Sequence, residues 1–271
     1  MGIGEPDYPA KLCGWAQAPA QLWWRGRWRP AARAVAVVGA RAASGNGQDF
    51  AAELAGLLAQ SSVDVISGGA FGIDAAAHRG ALANEGKTVA VFGSGIDIFY
   101  PERHRRLFER IVAMDGALLS SFQPGQLPSR WTFPARNQLV AALADWVVVV
   151  EASAHSGALY TTQAAQRLGR PIAARPGSPG TEALLRCGAA AIHHPIDFVE
   201  WMLRGKRVAP TIGCPHPLFG LLDGTPRDVD ELSQRASLPF AEASRLLADW
   251  ECEGWVTRLA GGRFRRSDFV E

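Results

Sequence analysis

The chain is 271 residues long and 48% apolar, enough to bury a full core and more than one average domain needs. Its 28 basic and 26 acidic residues leave a net charge of +2, which excludes a global field drawing it to nucleic acid; any such site must come from local grouping. The four cysteines (Cys13, Cys187, Cys214, Cys252) are scattered without C-x-x-C spacing, which argues against a metal site or a disulfide framework and fits a reducing cytosol.

Residues 1–33 carry five basic residues against Glu5 and Asp7, and are expected to be a lead-in segment packing on the domain C-terminal to it. The N-terminus lacks the pattern of a signal peptide, and the longest strongly apolar stretch, around Trp146 to Val150, is too short to span a bilayer, so a cytoplasmic protein without membrane contact is expected.

Between residues 35 and 193, short β-branched runs alternate with amphipathic stretches, the pattern of a parallel sheet covered on both faces. The predicted strands are Val35 to Val38, Val63 to Ser67, Thr88 to Phe92, Ala117 to Ser121, Trp146 to Glu151, Pro171 to Ala174 and Ala190 to His193. After the first strand, Phe50, Leu54, Leu57 and Leu58 recur at helical spacing.

The turns after these strands carry the functional signal, because in an open α/β sheet they share the carboxyl edge where ligands bind. The first strand runs into Gly39-Ala-Arg41, the second into Ser67-Gly68-Gly69-Ala-Phe71-Gly-Ile-Asp74, the third into Gly93-Ser94-Gly95 and the sixth into Arg175-Pro-Gly-Ser178. Arg41 stands where a dinucleotide fold needs its second glycine, so the turn suits phosphate held by a guanidinium and by helix amides, but not NAD. Each glycine taken singly is explained by closure of a tight turn.

Further along, Tyr100-Pro-Glu-Arg103-His-Arg105-Arg106-Leu-Phe108 groups cations, and Arg105 with Phe108 lies one helical turn apart, a spacing that suits a phosphate and a stacked base. The alternative packs Phe108 into the core with Leu107 and Ile111. Gln123 to Asn137 reads as a long loop mixing Trp131 and Phe133 with Arg130 and Arg136, a composition suited to single-stranded nucleic acid, or else a cover for the sheet edge by Trp131. Asp74 and His78, four apart, make either a tuned general base or a helix-start carboxylate beside a packed histidine. The other histidines, His155, His193, His194 and His216, form no ligand pattern, so no metal is expected.

Residues 206–213 read as a linker between a 34–205 domain and a 214–271 domain. In the latter, Pro217 to Leu222, Arg227 to Ala236 and Phe240 to Glu253 are expected helices, and Trp255 to Arg266 a hairpin, the plan of a winged helix. Glu242, Asp249, Glu251 and Glu253 make its last helix a poor reader of DNA and favour protein contact, whereas Arg258, Arg263, Arg265 and Arg266 on the hairpin suit phosphate.

Taken together, Asp7-Tyr-Pro-Ala-Lys-Leu12, Pro19-x-x-Leu-Trp-Trp-Arg-Gly26, Val37-Val-Gly-Ala-Arg41, Ser67 to Asp74, Ala77-His78, Gly80-Ala-Leu82, Tyr100-Pro101, Phe133-Pro-Ala-Arg136-Asn137, Ser156-Gly-Ala-Leu159 and Pro176-Gly-Ser178 resemble the DprA/Smf family, the DNA-processing proteins of bacterial natural transformation. The resemblance covers nearly the whole chain. It implies an extended Rossmann-like, doubly wound and mostly parallel sheet with a small C-terminal winged helix. It further implies sequence-independent binding of single-stranded DNA, a homodimer, and help in loading RecA recombinase onto DNA coated by single-strand-binding protein, without cofactor or catalytic turnover. By the same resemblance the first-turn arginine is Arg41, and the basic position after Tyr-Pro falls among Arg103 to Arg106, with Arg105 favoured.

The expected DNA-binding set is therefore Gly39, Arg41, Ser67, Gly68, Gly69, Phe71, Gly93, Ser94, Arg103, Arg105, Phe108, Arg136 and Asn137. Two rivals stand beside it: a Rossmann-like nucleotide phosphoribohydrolase, echoed by Pro176-Gly-Ser-Pro-Gly-Thr-Glu182, and a protein-binding scaffold without DNA contact.

Overall fold

A computed structural model describes residues 2–3, 5, 7–154, 156–204, 218, 221–222, 225–252 and 256–266. The chain divides into two compact units, Met1–Ile212 and Gly213–Glu271.

The first unit is built on an eight-stranded sheet of order β1-β5-β4-β3-β2-β6-β7-β8. Its strands are β1 (Trp23–Gly26), β2 (Ala34–Val38), β3 (Asp64–Ser67), β4 (Thr88–Phe92), β5 (Ala117–Ser120), β6 (Trp146–Val149), β7 (Ile172–Ala174) and β8 (Ala190–Ala191). All neighbours pair in parallel except β1, which runs antiparallel to β5 with Trp23 opposite Ser120. Every residue of β2 to β6 is buried, which is why these strands read as unbroken apolar runs. β1 escaped the sequence reading because an edge strand written Trp-Trp-Arg-Gly has neither alternation nor an apolar run.

Helices α1 (Gly45–Gln60), α2 (Ile73–Ala83), α3 (Arg105–Ala113), α4 (Thr132–Leu143), α5 (Ala158–Arg167), α6 (Pro179–Arg186) and α7 (Pro195–Leu203) connect the strands. α1 buries Phe50, Leu54 and Leu58 at four-residue spacing, while Leu57 is half-buried. α1 and α2 pack against each other so closely that a side chain at Gly80 would meet the Ala52 carbonyl oxygen 2.1 Å away. One face of the sheet is covered by a core containing Phe50, Leu54, Ile73 and Phe198; the other by Leu139, Val140, Leu184 and the lead-in residues Tyr8, Leu12, Leu22 and Trp28. Each of those lead-in side chains contributes roughly 1.5–3 kcal/mol by burial alone.

The lead-in is also tied down by charge. Asp64, at the start of β3, accepts hydrogen bonds from Trp28 Nε1 (2.8 Å) and the Ala31 amide (2.7 Å). Asp145, just ahead of β6, accepts from the Ala34 amide at 2.8 Å and pairs with Lys11.

Gln123 to Asn137 is not one loop: Thr132 to Asn137 form the first turns of α4. Thr132 Oγ1 accepts from the Ser129 amide and donates to the Ser129 carbonyl, and Pro134 sits in the first turn, where its missing N–H leaves no bond unmade.

In the second unit, α8 (Val229–Ala236), α9 (Phe240–Cys252) and the hairpin β9 (Val256–Leu259) and β10 (Arg263–Arg266) enclose Leu232, Ala243, Leu247, Trp250 and Phe264. α8 begins two residues later than expected because Asp228 caps it, accepting from the Glu231 amide at 2.8 Å, while Arg227 pairs with Phe264 as a β-bridge. The expected linker 206–213 lies outside the described residues, as do His155, His216 and half of the expected helix Pro217 to Leu222.

Candidate functional site

The chain leaves β2 in one direction through β3, β4 and β5, and the sheet continues on the other side of β2 through β6, β7 and β8. The switch point therefore lies between β2 and β6, and there a crevice of about 650 Å³ opens at the carboxyl edge. Arg41, Arg130, Phe133, Arg136, Asn137, Glu151 and Tyr160 are among its walls. A shallow extension is walled by Phe71, Gly93, Tyr100 and Pro101.

Two of the amides expected to seat a phosphate, those of Ser44 and Gly47, are already engaged. At the start of α1, the Glu151 carboxylate accepts from the Ser44 amide (3.2 Å) and the Ser44 hydroxyl (2.7 Å), and Ser44 Oγ accepts from the Gly47 amide at 3.0 Å. Glu151 Oε2 lies 2.3 Å from where a Gly47 side chain would begin, so glycine is needed for the carboxylate to sit there. An anion arriving at that position would face a resident negative charge. The expectation of free amides beside Arg41 is corrected at Ser44 and Gly47.

The second glycine turn is closed in the same way. Asp74 Oδ2 accepts from the amides of Gly68 and Ala70, both at 3.2 Å. Burial pushes the Asp74 carboxyl above its ordinary range, and the Arg136 guanidinium and the two amides act against that. Arg136 is 5% exposed and donates to the carbonyls of Gly68 and Val91; its Nε donates to Asn137 Oδ1 at 2.9 Å. Burial lowers its pKa, with Asp74 opposing the shift.

What remains open is arginine and ring. Arg41 is exposed, has no ion pair among the described residues, and its guanidinium carbon lies 5.2 Å from the centre of the Phe133 ring. Arg130 is likewise exposed on the crevice wall. Tyr160, Phe71 and Tyr100 are 53%, 42% and 47% exposed, so their rings are open to a ligand.

Of the expected residues, the structure brings Gly39, Arg41, Gly68, Arg136 and Asn137 to the crevice, and Phe71 and Gly93 to its extension. Ser67 and Ser94 are buried, their hydroxyls donating to Val37 O and Ile98 O, and Gly69 lies under Phe108. Phe108 has no exposed surface: it packs against Phe92 and Phe99, so no face is free to stack a base. Arg105 is exposed but bonded to Glu102 at 2.7 Å and lies over Phe99; Arg103 is exposed. Glu151 and Tyr160 were missed, since neither belongs to a turn motif.

Asp74 and His78 do not form a general-base pair. Thr88 Oγ1 donates to the Val65 carbonyl and must therefore accept, at 2.7 Å, from His78 Nδ1–H, leaving Nε2 buried without a partner. Burial holds this imidazole neutral, its pKa pushed down to about 3, with His104, Arg136 and Arg79 acting in the same direction. Glu182, which echoed a hydrolase carboxylate, accepts from the Gly177 amide at 2.8 Å in its own turn. Among the described residues there is no cluster that could hold a metal ion, and no helix long and apolar enough to cross a membrane.

Fold and crevice define a Rossmann-like α/β protein whose switch-point site presents arginines and rings in place of bare glycine backbone. The chain belongs to the DNA recombination-mediator protein A family, whose profile matches residues 1–202; that of the DprA winged helix domain matches 207–262. It is 48% identical over 231 residues to a DNA processing protein DprA of Mycobacterium tuberculosis, a match covering 82% of this chain and 59% of that protein. It is 32% identical over 286 residues to protein Smf of Escherichia coli, covering 97% and 76%. Among solved structures it is similar to DNA processing protein A from Streptococcus pneumoniae (TM-score 0.66, 35% identity, 74% and 72% covered). It is also similar to that from Helicobacter pylori, described for its single-stranded DNA binding mode (TM-score 0.66, 27% identity, 73% and 94% covered).

Proposed function

We propose that this protein binds single-stranded DNA without sequence preference and, as a cytoplasmic homodimer, assists the loading of RecA onto strands coated by single-strand-binding protein during natural transformation. Residues 34–205 would carry the DNA site, with 214–271 an attached module. No catalytic turnover is part of this reading.

The observation that carries it is Arg41: an exposed guanidinium without a carboxylate partner among the described residues, set against Phe133 at the switch point, while neighbouring amides are taken by Glu151 and Asp74. Cations without directional amides grip a sugar-phosphate chain but do not read bases, and the open rings of Tyr160, Phe71 and Tyr100 stack on any base. Family membership and the Helicobacter pylori relative support the same reading.

Fluorescence anisotropy with oligonucleotides of different sequence tests it. Binding should be alike for all of them and weaken with salt at a log–log slope of about 0.7 per phosphate neutralised. Arg41→Ala should weaken every sequence equally; unaltered affinity would remove Arg41 from the site. RecA filament assembly on strands coated by single-strand-binding protein, with and without this protein, tests the loading step; an unchanged assembly rate would contradict it.

A further inference from the structure

Beyond the crevice, the face formed by α2 and α3 carries four exposed arginines, Arg79, Arg103, Arg106 and Arg110. Arg106 and Arg110 on α3, and Arg103 in the 3-10 turn Glu102–His104 that leads directly into it, recur at three- and four-residue spacing and so line one flank, away from the buried Leu107, Phe108 and Ile111. α2 is almost wholly buried; Arg79 and Ala83 are its exposed positions. The two helices pack together. A right-handed crossover from β4 through α3 to β5 turns the Arg103, Arg106 and Arg110 flank toward α2, and turns Arg105 and Glu109 toward the β1 edge.

None of the four arginines has an ion pair among the described residues, whereas Arg105, on the opposite flank, is bonded to Glu102. Four cations on adjoining elements, none of them ion-paired among the described residues, repel one another, and an anion laid along them relieves that repulsion. The stripe starts at the crevice: Arg103 follows Tyr100 and Pro101, which wall the crevice extension. From Arg103 to Arg110 the helix rises roughly 10 Å, far enough to meet successive phosphates of one strand.

We propose that this stripe is a second phosphate track, taking up the single strand after it leaves the crevice. The proposal rests on the crevice being the site of the single strand and adds to it a contact that only a longer strand can reach.

Anisotropy titrations with oligothymidylates of about 6 and about 20 nucleotides, short and long relative to a single-strand site, separate the two. The parent should bind the long strand more tightly than the number of binding registers alone provides. Arg79→Gln/Arg110→Gln should keep the short-strand affinity and lose part of the length gain, since Arg103 and Arg106 remain. Its long-strand salt slope should fall by about 1.4, two contacts at about 0.7 each. Arg79→Lys/Arg110→Lys should retain most of that slope, since the charge is kept. A Gln variant with the parent's length gain and salt slope, or a parent with no gain beyond register counting, would overturn the track while leaving the crevice intact. A parent that binds neither length would overturn both.

Discussion

The amino and carboxyl edges of the sheet use the same residue types differently. At the amino edge, Asp64 and Asp145 meet Trp28, Lys11 and the amides of Ala31 and Ala34, and the result is a clamp on the lead-in segment. At the carboxyl edge, Glu151 and Asp74 also take backbone amides, yet Arg41 and Arg130 are left exposed with no carboxylate partner among the described residues. A carboxylate matched to its donors is part of the framework; a cation left over is available to a ligand. Arg136 shows that position alone does not decide this, because it lies at the ligand edge but is spent on Gly68 and Val91.

That distinction is broken most severely at Arg136. Arg136→Met should cost roughly 2–6 kcal/mol, because it leaves two buried carbonyls, those of Gly68 and Val91, without their donor at about 1–3 kcal/mol each. Urea unfolding measures this, and a Met variant as stable as the parent would place Arg136 among the ligand-facing cations instead. At the other edge, Asp64→Ala should cost roughly 1–3 kcal/mol through unmet donors while leaving oligonucleotide affinity unchanged. A loss of affinity there would show that the amino edge also serves binding.

The sheet itself was legible, because strands buried on both faces have to be apolar, and all seven parallel strands stand where β-branched and alanine-rich runs predict them. β1 was not, since its place is decided by pairing with β5 and by the burial of Trp28 on the lead-in, neither of which leaves a local pattern. At the site, Arg41 was legible as a departure from a glycine motif. Glu151 was hidden because its role depends on the end of β6 meeting the start of α1, 107 residues apart in sequence. Phe108 and Arg136 illustrate the limit of reading cations and rings as ligands: only packing distinguishes a ring that stacks from one that fills the core.

Acid should loosen the framework through His78. Its folded pKa, about 3, lies below the ordinary value of 6.5, so the unfolded chain binds the proton first and stability falls as pH drops below about 6.5. Between pH 7.5 and 5.5 the loss is about 1.4 kcal/mol. Asp64 and Asp74, whose pKa values burial raises, act in the opposite sense at lower pH, since folding favours their protonated forms. Comparison with His78→Gln isolates the histidine: the parent should lose stability over that interval and the variant should not. Equal slopes would contradict a neutral, buried His78.

The smallest effect expected is at Glu151. Glu151→Ala frees the amides at the start of α1 and removes a negative charge from the crevice, so oligonucleotide affinity should rise a few-fold while stability falls by about 1 kcal/mol or less. Lower affinity would mean that the carboxylate helps to hold the strand.

The most direct test of the contrast between edges is a crystal structure with a short oligothymidylate bound. The expected result is a phosphate on the Arg41 guanidinium, bases against exposed rings of the crevice, and Glu151 still on the α1 amides. A phosphate that displaced Glu151, or a strand bound elsewhere with the switch-point crevice empty, would contradict it.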